Sequence, residues 1–351
     1  MHFRDNKQSS MEAVKTDTSD YLSLMKLEIE GNFSKLNENF SQKRGVLLDY
    51  PTHGNAGDYL IWLGELEFLK KYLNIKLRFS SNIENGPMAM LEKCVKREDI
   101  IFLQGGGNWG DLYPKHQLYR EEIITRFKDN RIIVFPQTIY YQERENLVRS
   151  AQRINQHPRL TILVRDKMSE AIAREHYIAA DIRLCPDMAF YLDIKFNKPQ
   201  ILNPKSLIII RRDKELKKEV EYQVNFQEYE IADWPDMTTK SERSMVRIIS
   251  YVCRRFVRVM QLSHKLNILQ SVLILLYKWC NQLYLFKAHI LKDGAVRKFK
   301  QYKSITTTRM HGHILATLMR IDNVLLPNLY HKNQAYYECW GERNVCSKFK
   351  G

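Results

Sequence analysis

Short apolar runs alternate with longer segments of helical spacing along the first half of the chain. The runs that have the length of buried strands are 45–50, 100–103, 132–135, which ends at Pro136, and 160–164. The segments with apolar residues three and four apart, as in amphipathic helices, are 19–40, 59–72, 116–128 and 167–177. Alternation of this kind is typical of a parallel sheet with helices on both faces. We therefore predict an α/β fold.

The second half of the chain shows the same alternation with one long helical interruption. Short strands are predicted at 206–210, 304–306 and 323–326, and helices at 241–300 and 310–319. The stretch 197–204 carries two prolines and two asparagines, which favours a domain boundary there. We predict an N-terminal tail and helix over 1–40, a Rossmann-like domain over 41–200, and a second Rossmann-like domain over 201–351.

Positive charge is concentrated in one part of the chain. The 351 residues carry a net charge of +15, and residues 241–300 hold twelve Lys and Arg against two acids. We call 241–300 the basic helical segment. A surface of this charge attracts anionic lipid, nucleic acid or a phosphorylated substrate. Because no nucleic-acid-binding motif is present, we expect no nucleic acid partner. A solvated helix face and contact with an anionic membrane surface both remain open.

The expected compartment follows from the cysteines and the apolar stretches. Six cysteines are scattered without disulfide-type or zinc-type spacing, so we expect reduced thiols. The N-terminal residues lack the apolar core of a signal peptide, and no apolar stretch approaches the roughly 20 residues of a membrane span. We expect a cytoplasmic protein that can also contact the inner face of the membrane.

Two glycine motifs follow predicted strands of the first half. In parallel sheets, ligands bind at these carboxyl ends of the strands. The first is 53–58, with Asn55, Gly57 and Asp58 leading into a helix. The second is 104–112, with three consecutive glycines. Glycines let backbone N–H groups approach an anion, and a helix start adds its dipole. The alternatives are a plain turn capped by Asp58 for the first motif and cleft packing for the second.

Two cationic motifs follow predicted strands of the second half. Arg211 ends the first strand, and an arginine there can bind a carboxylate or phosphate in a forked geometry. Arg309 and His311 stand at a helix start after three threonines, a strong anion-binding combination. A charged turn for Arg211, and capping or packing for the second motif, are the alternatives. We disfavour a metal at His311 and His313, because side chains two apart on a helix diverge.

These motifs, in this order, resemble those of the polysaccharide pyruvyl transferase family over residues 45–341. The matching blocks are Asn55–Asp58, Gly105–Leu112, Pro186-Asp187, the triplet Arg211, Asp213 and Glu215, Arg309–Ala316, and a tail with Asn328, Tyr330, Lys332 and Trp340. The resemblance implies two Rossmann-like domains in a glycosyltransferase-B-like arrangement with a cleft between them. It also implies transfer of the pyruvyl (carboxyethylidene) group of phosphoenolpyruvate onto a sugar of an exopolysaccharide or its lipid-linked precursor, forming a ketal.

Site roles follow from the resemblance. Arg211 binds the donor's carboxylate or phosphate, and His311 does likewise or donates a proton. Asp58 and Asp111 are hypothetical acceptors of the sugar hydroxyl proton. The expected substrate-binding residues are Arg211, Arg309, Gly105, Gly106, Gly107, Asn108, Asn55 and Lys332. Phosphoenolpyruvate is a substrate, and neither a cofactor nor a metal is expected. The alternatives are a nucleotide-sugar glycosyltransferase and a non-catalytic membrane-surface scaffold for polysaccharide assembly.

Overall fold

The computed structural model of the chain describes most of its length. The described residues are 15–36, 38–194, 205–212, 228–263, 269–328 and 331–350. Several predicted features lie outside them: the first part of the N-terminal tail, the boundary at 197–204, Asp213, Glu215 and Tyr330. Within the described residues the chain is a mixed α/β protein with two all-parallel sheets, as predicted.

The first sheet has seven parallel strands, with the order β2-β1-β3-β5-β6-β7 and β4 paired to β5. The strands are β1 Arg44–Leu48, β2 Lys76–Ser81, β3 Ile100–Leu103, β4 Gly106–Gly110, β5 Arg131–Tyr140, β6 Leu160–Val164 and β7 Asp181–Leu184. The helices that connect them are α2 Ala56–Lys71, α3 Met88–Cys94, α4 Pro114–Arg126, α5 Arg144–Ile154 and α6 Lys167–His176. Strands β1, β3 and β6 are buried along nearly their whole length, because helices cover both faces.

The expected end of the third strand at Pro136 is wrong. Strand β5 runs on to Tyr140, and its second half pairs with β4. The register against β6 shifts between Val134 and Gln137, so the proline occupies an irregularity of the ladder. A proline is tolerated at such a point because it has no N–H to contribute.

The second sheet has five parallel strands in the order β12-β11-β10-β8-β9. Its strands are β8 Ser206–Ile209, β9 Tyr229–Ala232, β10 Ser304–Thr307, β11 Asp322–Leu325 and β12 Ser347–Phe349. Its helices are α7 Lys240–Ser263, α8 Gln270–Phe299, α9 Met310–Leu318 and α10 Lys332–Cys339. Both sheets thus have the strand–helix alternation of Rossmann-like folds.

The N-terminal helix α1 (Thr18–Ser34) connects the two sheets. Asp17 caps it, and it buries Tyr21, Met25, Ile29 and Phe33 at helical spacing. At its start, the Thr16 N–H donates to the carbonyl of Arg343 near β12 (2.7 Å). Near its end, Asn32 donates to the carbonyl of Leu184 in β7 (3.1 Å). The region predicted as a loose tail is therefore anchored from about Thr16 onward.

The basic helical segment forms the helices α7 and α8, as predicted, apart from 264–268, which lie outside the described residues. Helix α8 packs against the first sheet, where Tyr277 stacks on Phe79 with ring centroids 4.8 Å apart. Lys287 is only 2% exposed, and its Nζ donates to Ser250 Oγ and to the carbonyl of Thr52. Burial lowers the pKa of Lys287 to about 8. One of the twelve cations thus supports the loop after β1 rather than facing solvent.

The cysteines and the helices were both the subject of sequence predictions. All six cysteines are free, as predicted. None of the helices in the described part of the chain is long and apolar enough to cross a bilayer.

Close packing at one glycine of α2 gives a stability prediction. A Cβ on Gly64 would lie 2.0 Å from the carbonyl oxygen of Met188, whereas a Cβ on Gly31 in α1 would meet nothing within 4 Å. We expect Gly64→Ala to lower the free energy of unfolding by about 1–3 kcal/mol, because backbone must move. Gly31→Ala should raise it by about 0.5–1 kcal/mol. Urea unfolding measures both, and equal stabilities would refute this close approach.

Candidate active site

The loops that carry the four motifs converge on one cleft. Residues from both sheets line it, and its volume is about 240 Å³. Eight predicted site residues are among the lining residues: Asn55, Asp58, Gly107, Asn108, Arg211, Arg309, His311 and Lys332. The strand-end placement predicted from sequence therefore brings the motifs together.

Gly105 and Gly106 lie behind the cleft rather than in its lining. The Gly105 N–H donates to Glu65 Oε1 (2.8 Å), and a Cβ on Gly105 would lie 2.7 Å from the carbonyl oxygen of Pro136. Gly106 has φ +130°, which L side chains rarely adopt. For these two positions the packing alternative is the one that the geometry favours.

Asp111 also lies away from the cleft lining, so the structure does not support its expected catalytic role. Its carboxylate accepts hydrogen bonds from the N–H groups of Gln142 (2.8 Å) and Glu143 (2.9 Å) and from Asn146 Nδ2 (3.1 Å). Partial burial opposes ionisation, but these hydrogen bonds outweigh it and lower the pKa of Asp111. Asp111 thus organises the start of α5.

Two cations meet at Gly107. A Cβ on this glycine would lie 3.0 Å from both Arg165 Nη2 and Lys332 Nζ. Arg165 follows β6 of the first sheet, and Lys332 begins α10 of the second. Cationic groups that approach one stretch of bare backbone so closely are suited to an anion. The sequence prediction missed Arg165, although its position directly after a predicted strand was a usable signal.

The second sheet adds two further arginines. Arg309 forms a forked ion pair with Asp233, with Nε–Oδ1 at 2.9 Å and Nη2–Oδ2 at 2.7 Å. Asp233 also accepts from the Arg212 N–H (3.1 Å). The backbone of Arg211 is held by Thr308, whose Oγ1 accepts from the Arg211 N–H (3.0 Å). Both guanidinium groups therefore extend from fixed backbone at the ends of β8 and β10.

A buried carboxylate, Asp187, connects Arg165 to His311. Its Oδ2 lies 2.5 Å from Arg165 Nη1 and 3.4 Å from His311 Nε2. Burial opposes the ionised form, but His311, Arg165 and the Ala189 N–H outweigh it and hold the pKa of Asp187 well below its ordinary value. The Pro186-Asp187 block had been noticed in the sequence without a role.

The position of His311 explains why the first motif has a glycine at position 57. A Cβ on Gly57 would lie 2.6 Å from His311 Nδ1. Asn55 caps α2 by accepting from the Gly57 N–H (3.1 Å), and its Nδ2 donates to Asp58 Oδ2 (2.9 Å). His53 Nε2 lies 3.3 Å from the same oxygen. The first motif is therefore both a helix cap and part of the cleft wall.

A second histidine–carboxylate pair borders the cleft and was missed from sequence. His116 lines the cleft, and its Nδ1 lies 2.7 Å from Oδ1 of the buried Asp49. Arg120 pairs with the other Asp49 oxygen (2.8 Å) and donates to Asn108 Oδ1 (2.7 Å). No local pattern joins these residues, because Asp49 follows β1 and the others lie on or near α4.

His313 lies apart from the cleft. It is buried with its ring edge-on to Tyr336 and Tyr337, and burial lowers its pKa to about 4. Across the described ranges, no group of three or more His, Cys, Asp or Glu side chains could hold a metal ion.

Glu65 under the glycine strand gives a pH prediction. Burial raises its pKa well above the ordinary value, so the folded chain retains a proton that the unfolded chain releases. The contribution of Glu65 to the free energy of unfolding is fully present below the pKa that Glu65 has in the unfolded chain. Above that pH the contribution falls by up to about 1.4 kcal/mol per pH unit, until the pH passes the pKa of Glu65 in the folded chain. Glu65→Gln keeps an acceptor for Gly105 and should flatten this decline in urea unfolding between acidic and mildly basic pH. The partly exposed Glu67→Gln should retain it. Parallel curves for wild type and Glu65→Gln would exclude this role.

Comparison with known proteins gives the family. The family model described as polysaccharide pyruvyl transferase matches residues 55–330. The EpsO protein of Bacillus subtilis (strain 168), a provisionally named pyruvyl transferase, is 33% identical over 305 residues, which are 86% of each chain. Pyruvyl transferase 1 of Schizosaccharomyces pombe is 31% identical over 156 residues, 43% of this chain and 39% of that protein.

A solved structure shares the fold. The uncharacterized protein KP1_0663 of Klebsiella pneumoniae superposes with a TM-score of 0.57 at 18% identity, over 93% of this chain and 98% of that one. At that identity the likeness concerns the fold alone. The family assignment rests on the sequence matches, which cover most of the chain. The chain belongs to the polysaccharide pyruvyl transferase family and is a transferase.

Proposed function

We propose that the chain transfers the pyruvyl group of phosphoenolpyruvate onto a sugar of an exopolysaccharide or its lipid-linked precursor, forming a ketal. The observation that carries this proposal is the set of cations around one small cleft. Arg165 and Lys332 meet at Gly107, and Arg211, Arg309 and His311 line the same space. Family membership implies a saccharide acceptor, and a cationic cleft suits a donor that carries both a phosphate and a carboxylate.

We further propose that the two sheets belong to two Rossmann-like domains in a glycosyltransferase-B-like arrangement, divided near residue 200. The support is that the cleft draws its lining from strand ends of both sheets. In this arrangement the first sheet contributes Arg165 and the second contributes Arg309, Arg211 and Lys332. The donor anion then lies between the sheets, where few water molecules compete for it.

The reaction begins on the donor. A proton delivered to the methylene carbon of phosphoenolpyruvate leaves an oxocarbenium-like centre at the next carbon. We assign the proton to His311, which Asp187 orients at 3.4 Å and Gly57 flanks. Arg165 and Lys332 stabilise the phosphate, which later leaves with its bridging oxygen.

The acceptor supplies two hydroxyl groups. The first attacks the oxocarbenium-like carbon and loses its proton; phosphate then leaves, and the second hydroxyl closes the ketal with loss of its own proton. Two groups on the first-sheet side of the cleft are suited to take these protons, Asp58 and His116. Asp49 holds the His116 imidazole by its Nδ1, so the Nε2 of His116 remains the nitrogen for proton transfer.

The alternatives make different demands on this cleft. A nucleotide-sugar glycosyltransferase of the same architecture binds a diphosphate and a nucleobase, and a scaffold needs no turnover. Membership of a transferase family favours the enzyme over the scaffold, and the family description favours the pyruvyl donor over a nucleotide sugar. Phosphate release from phosphoenolpyruvate in the presence of candidate acceptors tests the proposal directly.

His311 and Arg211 give the first kinetic prediction. We expect His311→Ala to lower kcat by about 10²–10⁴-fold, because proton delivery is lost. Arg211→Ala should chiefly raise the KM for phosphoenolpyruvate, because a donor contact is lost. His289→Ala, an exposed histidine of α8, is the matched control and should keep wild-type turnover. Full activity of both variants, with circular dichroism like that of the wild type, would sink the assignment.

His116 gives a second prediction, on the acceptor side. His116→Gln keeps the size of the side chain but cannot take up a proton, so kcat should fall by about 10²-fold or more while the affinity for phosphoenolpyruvate is unchanged. Loss of donor binding with an unchanged kcat would instead place His116 in the donor site.

A further inference from the structure

Helices α7 and α8 expose several large apolar side chains. Ile248 on α7 is 62% exposed, and Leu275 and Phe286 on α8 are 63% and 52% exposed. Met245 and Trp279 are exposed as well. Single exposed apolar residues are common, but a contiguous apolar patch marks an interaction site. Whether these residues form one contiguous patch therefore decides whether they mark an interaction site.

The exposed apolar residues of the two helices form one surface. The helices run antiparallel, because Arg297 pairs with Glu242 (2.7 Å) and Lys287 with Ser250 (3.0 Å). Between them, Phe256 of α7 packs on Trp279 of α8 with ring centroids 4.3 Å apart. Helical spacing aligns the exposed residues of each helix on either side of this contact. We call this surface the hairpin face; it comprises Met245, Ile248, Val259, Leu275, Trp279 and Phe286.

A row of arginines runs along α7, about a third of a turn from the apolar residues of the hairpin face. Arg247, Arg254 and Arg258 are exposed and share one side of α7, at i, i+7 and i+11. With the described residues they form no ion pair; the acid of α7, Glu242, is engaged by Arg297. Arg255 lies between this row and the apolar residues and leans on Tyr251, 5.4 Å from the ring centroid. The row is therefore positively charged, and the charge of Glu84, which acts on the neighbouring Cys253 and Tyr284, offsets it only in part.

An apolar face on a helix pair that also carries a row of arginines fits an anionic lipid surface. Apolar and aromatic side chains enter the headgroup–acyl boundary, while long basic side chains reach the lipid phosphates. A second copy of the chain would bring the same positively charged row and repel the first. We propose that the hairpin face docks the protein on an anionic membrane surface, with α7 and α8 lying in the plane of the interface. This inference stands apart from the chemistry proposed for the cleft.

Vesicle flotation of the full chain tests the proposal. The wild type should float with vesicles of phosphatidylcholine and phosphatidylglycerol, float far less with phosphatidylcholine alone, and be released by salt. The combined variant Arg247→Gln, Arg254→Gln and Arg258→Gln should lower the partition coefficient by about a hundredfold at low ionic strength. The matched control carries Arg97→Gln, Arg144→Gln and Arg149→Gln, exposed arginines of the first half, and should partition like the wild type.

A second variant tests the apolar part. Ile248→Ser, Leu275→Ser and Phe286→Ser together should weaken partitioning by about tenfold or more without changing circular dichroism or phosphate release in solution. The proposal is overturned if the wild type does not prefer the anionic vesicles, or if the control loses as much binding as the arginine variant. It is also overturned if sedimentation velocity shows a dimer that the apolar variant breaks, with no vesicle binding by the wild type.

Discussion

A buried carboxylate between the two sheets is the contact on which the cleft depends. Asp187 lies on the first-sheet side and holds Arg165 at 2.5 Å and His311 of the second sheet at 3.4 Å. An ion pair as buried as this one is costly to desolvate, and its value lies in fixing geometry. It sets one cation of the anion site and the ring of the expected proton donor in one arrangement. The close contact of Gly57 with His311 adds a second, steric constraint on the same ring.

Local sequence patterns predicted the elements whose signal is local. The buried strands β1, β3 and β6 are continuous apolar runs, so the sequence predicted them. Helix α9 was predicted as well, because polar residues mark its start directly after a strand. Strand β4 was missed because its sequence is mostly glycine and polar residues, which favour a loop on their own. It forms because β5 continues past Pro136 and offers a ladder to pair with. Tertiary pairing here overrides local preference.

The same distinction applies to the cleft. Asn55, Arg211, Arg309 and His311 stand at strand ends, so their convergence was predictable from a parallel sheet. Other contributions depend on pairings between different elements, and no local pattern predicted those pairings, although Asn108 and Lys332 were themselves predicted as site residues. The residues of that kind are Asp49 with His116, Arg120 with Asn108, and Lys332 with Arg165. Asp111 shows the opposite case, a polar residue in a matching motif whose carboxylate is committed to the backbone of the next helix.

We propose that the cleft between the sheets binds phosphoenolpyruvate through its cations. Isothermal titration of the full chain with phosphoenolpyruvate, and separately with nucleotide sugars, tests this claim most directly. We expect saturable binding of phosphoenolpyruvate that inorganic phosphate displaces and that Lys332→Ala weakens. Binding of a nucleotide sugar with none of phosphoenolpyruvate would contradict it.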